Sequence, residues 1–190
     1  MSDRDGKFEI YLMNPDGSNQ TNVSNDPAWD YHPAWSRDGM RLAFYRERDD
    51  PAETEILVVS LYGPDGCCTK PRYVVDGQEP TWSPDDRYLA FVSSPSNGPT
   101  TSILILPTGN LQAVPFLVTD QVDSLQPFRR LTWSPDSAQI AFTSPHRIDH
   151  TWVEQIWIVD SDGSDLRKLT PDTSGAVYLS RETHECIPKP

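Results

Sequence analysis

The sequence predicts an all-β fold, a β-propeller built from four-stranded antiparallel blades. A strand-turn-strand unit occurs three times, with Trp35, Trp82 and Trp133 ending its first strand and a Phe nine residues later in each copy. The copies recur at periods of 47 and 51 residues, and eighteen Pro and ten Gly are spread evenly along the chain. Pro and Gly residues at such frequent intervals favour short strands and turns over long helices. Four strands in every ~40–50 residues are typical of propeller blades.

The second copy of the unit, residues 80–91, shows why it forms two strands and a turn. Trp82 ends the first strand, and Ser83-Pro84-Asp85 follow it. Proline suits the second position of a type I turn, and aspartate can accept a hydrogen bond from its own backbone. The β-favouring run at 88–92 is then the second strand.

The chain in order predicts a half blade, three blades and a tail. The half blade is 2–33, the blades are 34–79, 80–130 and 131–170, and 171–190 is an irregular tail or the start of a further blade. Third strands are expected at 56–60, 103–106 and 155–159, and fourth strands at 72–75, 115–119 and 166–169.

The second and third strands are apolar on both faces, which indicates that each sheet is covered on both sides. Ala43, Ala90 and Ala141 occupy the same place in successive copies, where a small side chain lets the next blade approach. We therefore expect the repeated Trp and Phe side chains to pack between blades rather than to bind a ligand.

Charge and composition exclude several classes of function. The formal charge of −12 repels phosphate backbones, so nucleic acid is not an expected partner. Nothing approaches 18 consecutive apolar residues, so no membrane span is predicted. The chain begins with polar residues and no signal peptide is expected. Cys67, Cys68 and Cys186 form neither a disulfide framework nor a zinc spacing.

Catalytic motifs are also missing from the sequence. It has no Gly-x-Ser-x-Gly elbow, no His-Glu-x-x-His and no phosphate-binding glycine loop. The sequence therefore predicts a protein that is not an enzyme, with no catalytic residues, no metal and no cofactor.

Two motifs resemble the TolB-like (WD40-like) β-propeller repeat. These are His-Pro-Ala-Trp-Ser-x-Asp-Gly-x-x-Leu-Ala-Phe at 32–44 and Glu-Ile-Tyr-x-Met-Asn-x-Asp-Gly-Ser at 9–18. The resemblance covers about residues 2–170, and Arg37, Asp86 and Ser137 depart from it. It implies a ring of about six or seven blades, commonly periplasmic or secreted, that commonly serves as a protein-binding scaffold.

About three and a half blades are too few for such a ring. Three interpretations follow: a fragment of a longer protein whose additional blades complete the ring, a homo-oligomer that completes it, or a small four-bladed ring. We favour the fragment, since an uncovered strand edge would invite aggregation.

The candidate site lies at one end of the blades. Because neighbouring strands are antiparallel, the entry to each first strand and the loop between the second and third strands share that end. The polar residues before each Trp differ from blade to blade: Asp30, Tyr31, His32, Gln78, Glu79, Arg129 and Arg130. The sequence predicts that they form a partner-binding surface at the mouth of the central channel.

The predicted function is a non-catalytic scaffold that binds a protein or peptide at this mouth. One alternative is the propeller of a prolyl oligopeptidase-like serine peptidase, whose hydrolase domain would lie outside these residues. A second is a metal-assisted polysaccharide lyase, for which only His32 is suitably placed.

Overall fold

The computed structural model describes residues 1–4, 6–48, 54–63, 68–93, 101–120, 129–148 and 151–170, with the backbone alone at 147, 148, 151 and 152. Within these ranges, fourteen strands form one two-stranded and three four-stranded sheets, all antiparallel. The predicted tail at 171–190, with Cys186, and also Cys67 lie outside the described residues.

The strands follow the chain in order. The N-terminal hairpin consists of β1 (Tyr11–Leu12) and β2 (Thr21–Asn22). The first sheet is β3 (Trp29–Trp35), β4 (Arg41–Glu47), β5 (Thr54–Ser60) and β6 (Arg72–Asp76). The second sheet is β7 (Gln78–Trp82), β8 (Tyr88–Ser93), β9 (Ser102–Pro107) and β10 (Phe116–Thr119). The third sheet is β11 (Arg129–Trp133), β12 (Gln139–Ile148), β13 (Thr151–Asp160) and β14 (Arg167–Lys168).

The turn after each Trp forms as predicted. The amide of Asp86 donates to the Ser83 carbonyl (2.9 Å), and the Ser83 hydroxyl donates to Asp85 Oδ1 (2.6 Å) and accepts from the Tyr88 amide (3.0 Å). The same side-chain bonds recur around Ser36 and Asp38, and around Ser134 and Asp136. In these two copies the serine hydroxyl lowers the pKa of the aspartate below its usual value.

Neighbouring sheets pack face to face, as the two-sided apolar strands indicate. Leu42 and Phe44 of β4 face the N-terminal hairpin, while Ala43 faces the second sheet. Ala90 of β8 likewise faces the third sheet and is fully buried, so the expected close approach is confirmed at Ala43 and Ala90, whereas Ala141 of β12 is half-buried. The first strands lie side by side, because β7 contacts both β3 and β11.

One predicted packing residue is not buried. Trp82 and Trp133 are 6% and 8% exposed, as expected, but Trp35 is 54% exposed, and its assignment to the core was wrong. The N-terminal hairpin packs on the apolar side chains of β4 and β5, and the described strands leave the end of β3 uncovered. The two-stranded hairpin is too narrow to cover the whole face of the first sheet.

Two predicted loops are partly strand. The charged run that begins at Arg46 predicts a loop over 46–55, but β4 continues through Arg46 and pairs it with Glu55 of β5. The stretch 146–152, with two His and a Trp, also predicts a loop, yet His146 lies in β12 opposite Val153 of β13. In both hairpins the backbone hydrogen bonds between the two strands continue after the side chains become polar. The strands therefore extend beyond their apolar stretches. Asp149 and His150 of this stretch lie outside the described residues.

Gly77 alone joins the first sheet to the second. Its amide donates to the Thr54 carbonyl (2.9 Å), and its φ of +156° is a conformation that other residues rarely adopt. A Cβ atom built there would lie 2.7 Å from Phe91 Cδ2 and 2.9 Å from the Val92 carbonyl oxygen. The close approach of the two sheets therefore depends on the absence of a side chain at this position.

We expect Gly77→Ala to destabilise the protein by about 1–3 kcal/mol, because the new methyl group overpacks Phe91 and strains the backbone. Urea unfolding followed by circular dichroism measures the change. Gly109→Ala is the matched control, since a Cβ at Gly109 meets nothing within 4 Å. Equal stability of the two variants would contradict the assigned role of Gly77.

Candidate functional site

Each first strand contains a β-bulge at the position three residues before its Trp. The pairing register shifts between Tyr31 and Ala34 in β3, and at the corresponding places in β7 and β11. The residue in each bulge has a left-handed backbone, with φ of 49° at His32, 54° at Glu79 and 54° at Arg130. These are the three variable residues that the sequence placed at the mouth of the blades.

The left-handed backbone at these positions has a cost. For a residue with a side chain it is about 1–2 kcal/mol, and it is uncommon outside Gly, Asn and Asp. Bulges redirect a side chain away from the regular alternation of a strand. The fold therefore repeats a costly backbone conformation at a position where the three sheets carry different polar groups.

His32 and Glu79 meet across the boundary between the first and second sheets. Nδ1 of His32 lies 2.7 Å from Oε1 of Glu79. The hydrogen bond to Glu79 raises the pKa of His32 above 6.5, partial burial opposes the rise, and the negative charge of Glu79 adds to it. Pairing with Glu79 thus stabilises the imidazolium form relative to that of a free histidine.

Tyr45 and Arg129 complete a cluster to which all three sheets contribute. The ring of Tyr45 in β4 meets the His32 ring edge-on, 5.4 Å between centroids. Burial, followed by the charges of Glu79 and Glu47, raises the pKa of Tyr45 to about 12, so its hydroxyl stays protonated. Arg129 of β11 is close enough for its charge to lower the pKa values of both His32 and Tyr45. We call His32, Tyr45, Glu79 and Arg129 the mouth cluster.

The other predicted surface residues lie around this cluster. Tyr31 is half-buried and stacks on Tyr45, with 5.4 Å between ring centroids. Gln78 is half-buried at the start of β7. The guanidinium of Arg130 is largely exposed and lies 3.8 Å from the Glu154 carboxylate. Arg129 and Arg130 therefore present positive charge at the mouth of an acidic protein.

Asp30 is placed differently from the other predicted residues. It is fully buried, and its carboxylate forms a bidentate pair with Arg46, at 2.7 Å to Nε and 3.0 Å to Nη2. Arg46 also binds Asp26 (2.7 Å) and is itself buried. Asp30 thus holds β3 against β4 beneath the mouth, and its side chain does not reach the surface.

Tyr45 and the Asp30–Arg46 pair were not singled out from the sequence. Tyr45 belongs to a second strand, and the sequence does not give the register of that strand with β3. In the structure Tyr45 pairs with Tyr31, and this pairing brings it to the mouth. Arg46 lies in a charged run whose members look alike in sequence. The one available signal was Asp30 itself, within the polar stretch that precedes a Trp. An aspartate in such a place is too common to indicate a buried ion pair.

Among the described residues, no group of three or more His, Cys, Asp or Glu side chains is arranged to hold a metal ion. His32, the ligand that a lyase would require, has its Nδ1 engaged with Glu79. No described helix is long and apolar enough to cross a membrane.

Comparison with known proteins shows what the repeats are similar to. No protein-family model matches the chain. Over 83 residues, 42% of this chain, it is 32% identical to the Tol-Pal system protein TolB of Zymomonas mobilis. TolB from Acinetobacter baumannii superposes on 87% of the chain with a TM-score of 0.64 and 20% identity. The repeats of this chain are thus similar to part of the TolB sequence, and its fold is that of the TolB β-propeller. The resemblance in the sequence motifs is confirmed, and so is the propeller fold class.

The chain covers only part of the length of these proteins. It spans 17% of the length of the Zymomonas mobilis protein and 38% of the Acinetobacter baumannii structure. The propeller domain of the trilobed protease from Pyrococcus furiosus also superposes, on 89% of this chain and 50% of that one, with a TM-score of 0.59 and 19% identity. Likeness at that identity reports the fold and not the activity.

We expect the pKa of His32 to lie above 6.5 and to fall in Glu79→Gln, because the variant loses both the ionic hydrogen bond and the charge. Since the folded pKa is raised, the pair contributes stability below pH 6.5, and this is lost as the pH rises through the folded value. Titration of the His32 imidazole by NMR measures the shift. Glu154→Gln is the control and should leave the His32 titration unchanged. An unchanged midpoint in Glu79→Gln would show that the pair does not form in solution.

Proposed function

We propose that the chain forms part of a non-catalytic β-propeller that binds a protein or peptide partner at the face of the mouth cluster. One observation carries the proposal: His32, Glu79 and Arg130 occupy the same left-handed bulge position on three neighbouring sheets and have different chemistry. The backbone at this position is strained in all three sheets, whereas the side chain differs from sheet to sheet. Such strain of ~1–3 kcal/mol is retained mainly at functional sites, so the position is suited to recognition.

The chemistry of the mouth cluster indicates what the partner offers. The protonated Tyr45 hydroxyl is a hydrogen-bond donor at neutral pH, and Arg129 and Arg130 add exposed cations. Glu79 is the acceptor among them. A partner segment with backbone carbonyls and at least one carboxylate complements this set, and aromatic rings at Tyr31 and Tyr45 add contact area.

The comparisons support the coarse part of this proposal. The Zymomonas mobilis relative is named as a member of the Tol-Pal system, and a platform of that kind agrees with the periplasmic or extracellular location that the resemblance implies. The peptidase alternative rests on the shared fold alone, so we do not favour it. The division into blades at 34–79, 80–130 and 131–170 and the completion of the ring stay predictions.

We expect the double variant Glu79→Ala, Arg130→Ala to weaken partner binding about tenfold or more, which corresponds to ~1.4 kcal/mol. Random peptides displayed on phage are selected on the immobilised full chain, and the affinities of the selected peptides are then measured by calorimetry. A salt-dependent loss would agree with the exposed Arg129 and Arg130.

The matched control is Arg72→Ala, Asp76→Ala, which removes one exposed cation and one exposed anion from the outer strand β6. It should leave the affinities unchanged. Peptides that bind the mouth variant as tightly as the wild type would move the binding surface away from the mouth cluster.

A further inference from the structure

A groove separates the N-terminal hairpin from the outer part of the first sheet. One of its walls is the segment 21–26, which contains β2, and the other is the segment 68–71, which leads into β6. Leu12 and Leu61 line it between these walls. The groove has a volume of about 680 Å³, which is in the range of clefts that bind ligands. We call it the rim groove.

The floor of the rim groove is apolar. Leu12, Leu61 and Cys68 are half-buried and pack against the core between the hairpin and the first sheet. At the other two interfaces, the connections between the third and fourth strands place Leu111 and Leu166 against the corresponding cores. In the rim groove part of the floor stays uncovered, so it suits an apolar side chain of a ligand.

The wall that contains β2 is a free strand edge. The amide of Val23 donates to the Ile10 carbonyl (2.9 Å), so the backbone groups of Val23 point towards the strand that contains β1. Because alternate residues of a strand point in opposite directions, the amide and carbonyl of Asn22 point away from β1. β2 follows β1 as β6 follows β5, and β6, β10 and β14 are each the last strand at one edge of their sheets. Strands added on the far side of β1 therefore leave the edge of β2 open.

The polar groups of the rim groove leave one cation available. Lys70 is exposed, and within the part of the chain that the structure describes its ammonium group forms no ion pair or hydrogen bond. Asp26 lies at the end of the opposite wall, and its carboxylate is already paired with Arg46 (2.7 Å). The groove therefore attracts a carboxylate at Lys70, although the protein as a whole is acidic.

We propose that the rim groove binds an extended segment of a partner protein, which adds to β2 as a further strand. The segment pairs with the backbone amide and carbonyl of Asn22, places an apolar side chain on Leu12 and Leu61, and carries a carboxylate for Lys70. A second copy of the chain is not the expected occupant, because a net charge of −12 repels like copies. The rim groove is separate from the mouth cluster and does not depend on the function proposed there.

The probe is a phage-displayed library of short peptides in which apolar residues alternate with variable ones and one position is Asp or Glu. It is selected on the immobilised full chain carrying Glu79→Ala and Arg130→Ala, so that binding at the mouth does not contribute. Peptides of micromolar affinity should be recovered, and they should shift the backbone amide signals of Asn22 and Lys70 in NMR spectra. A selection that yields no peptide with these shifts would overturn the proposal.

Methylation of single amide nitrogens in a selected peptide tests whether it binds as a strand. A strand added to one edge donates only every second amide to that edge. Methylation at these positions should weaken binding about tenfold, because each methyl group removes a backbone hydrogen bond and crowds the edge of β2. Methylation of the intervening amides should leave the affinity unchanged. Equal effects at all positions would contradict strand addition.

Variants of the full chain locate the binding surface. Cys68→Leu extends an apolar side chain into the rim groove and should weaken peptide binding about tenfold, with the fold checked by circular dichroism. Lys70→Gln should weaken the binding of carboxylate peptides about two- to fivefold, the range of an exposed ion pair. Arg72→Gln is the matched control, since Arg72 is an exposed cation outside the groove lining. Unchanged binding to Lys70→Gln and to a folded Cys68→Leu would overturn the proposal.

Light scattering tests the other occupant of the rim groove, a second copy of the chain. The wild type and Cys68→Leu should have the same molar mass in solution. A wild-type dimer that Cys68→Leu converts to a monomer would assign the groove to self-association and contradict the partner segment.

Discussion

The contact between neighbouring sheets is the interaction on which the rest of this structure depends. β4 and β8 are buried on both faces, so a sheet with one neighbour still exposes an apolar face to water. Phe44, Phe91 and Phe142 are fully buried in these contacts, and each side chain of this size contributes about 1.5–3 kcal/mol by leaving water. No sheet has a core of its own, and stability accumulates from one interface to the next, as in other repeat proteins.

Polar groups at the same interfaces determine how the sheets are aligned. Apolar packing alone would tolerate small rotations, but the Trp82 and Trp133 indoles each require one particular carbonyl. Asp86 adds two further bonds to backbone amides of the preceding turn. These directional contacts fix how far each first strand is shifted along its neighbour. The bulges of adjacent first strands lie side by side as a result.

The mouth cluster exists because of this alignment. His32 and Glu79 are 47 residues apart in the chain, yet their side chains meet at 2.7 Å because each occupies the bulge of its own first strand. Beneath them, the buried Asp30–Arg46 pair binds β3 to β4 and supports the strained backbone at His32. Breaking such a pair is costly, since a lone buried charge is left behind. The face thus combines side chains that differ between the sheets with a buried ion pair beneath them, an arrangement that agrees with the proposed recognition of a partner.

The sequence by itself determined the repeats, the turn at each Ser-x-Asp, the order of strands and the buried alanines, because these follow from spacing and from local hydrogen bonding. It also placed His32, Glu79 and Arg130 at one end of the blades. It did not distinguish the buried Asp30 from its exposed neighbours. It also predicted a loop at Arg46 and a buried side chain at Trp35. Only the tertiary structure decided these points, since each depends on which strand lies across the sheet or on the next sheet. Burial of Trp35 requires a first strand on its far side, and no local pattern around Trp35 reports whether that strand is there.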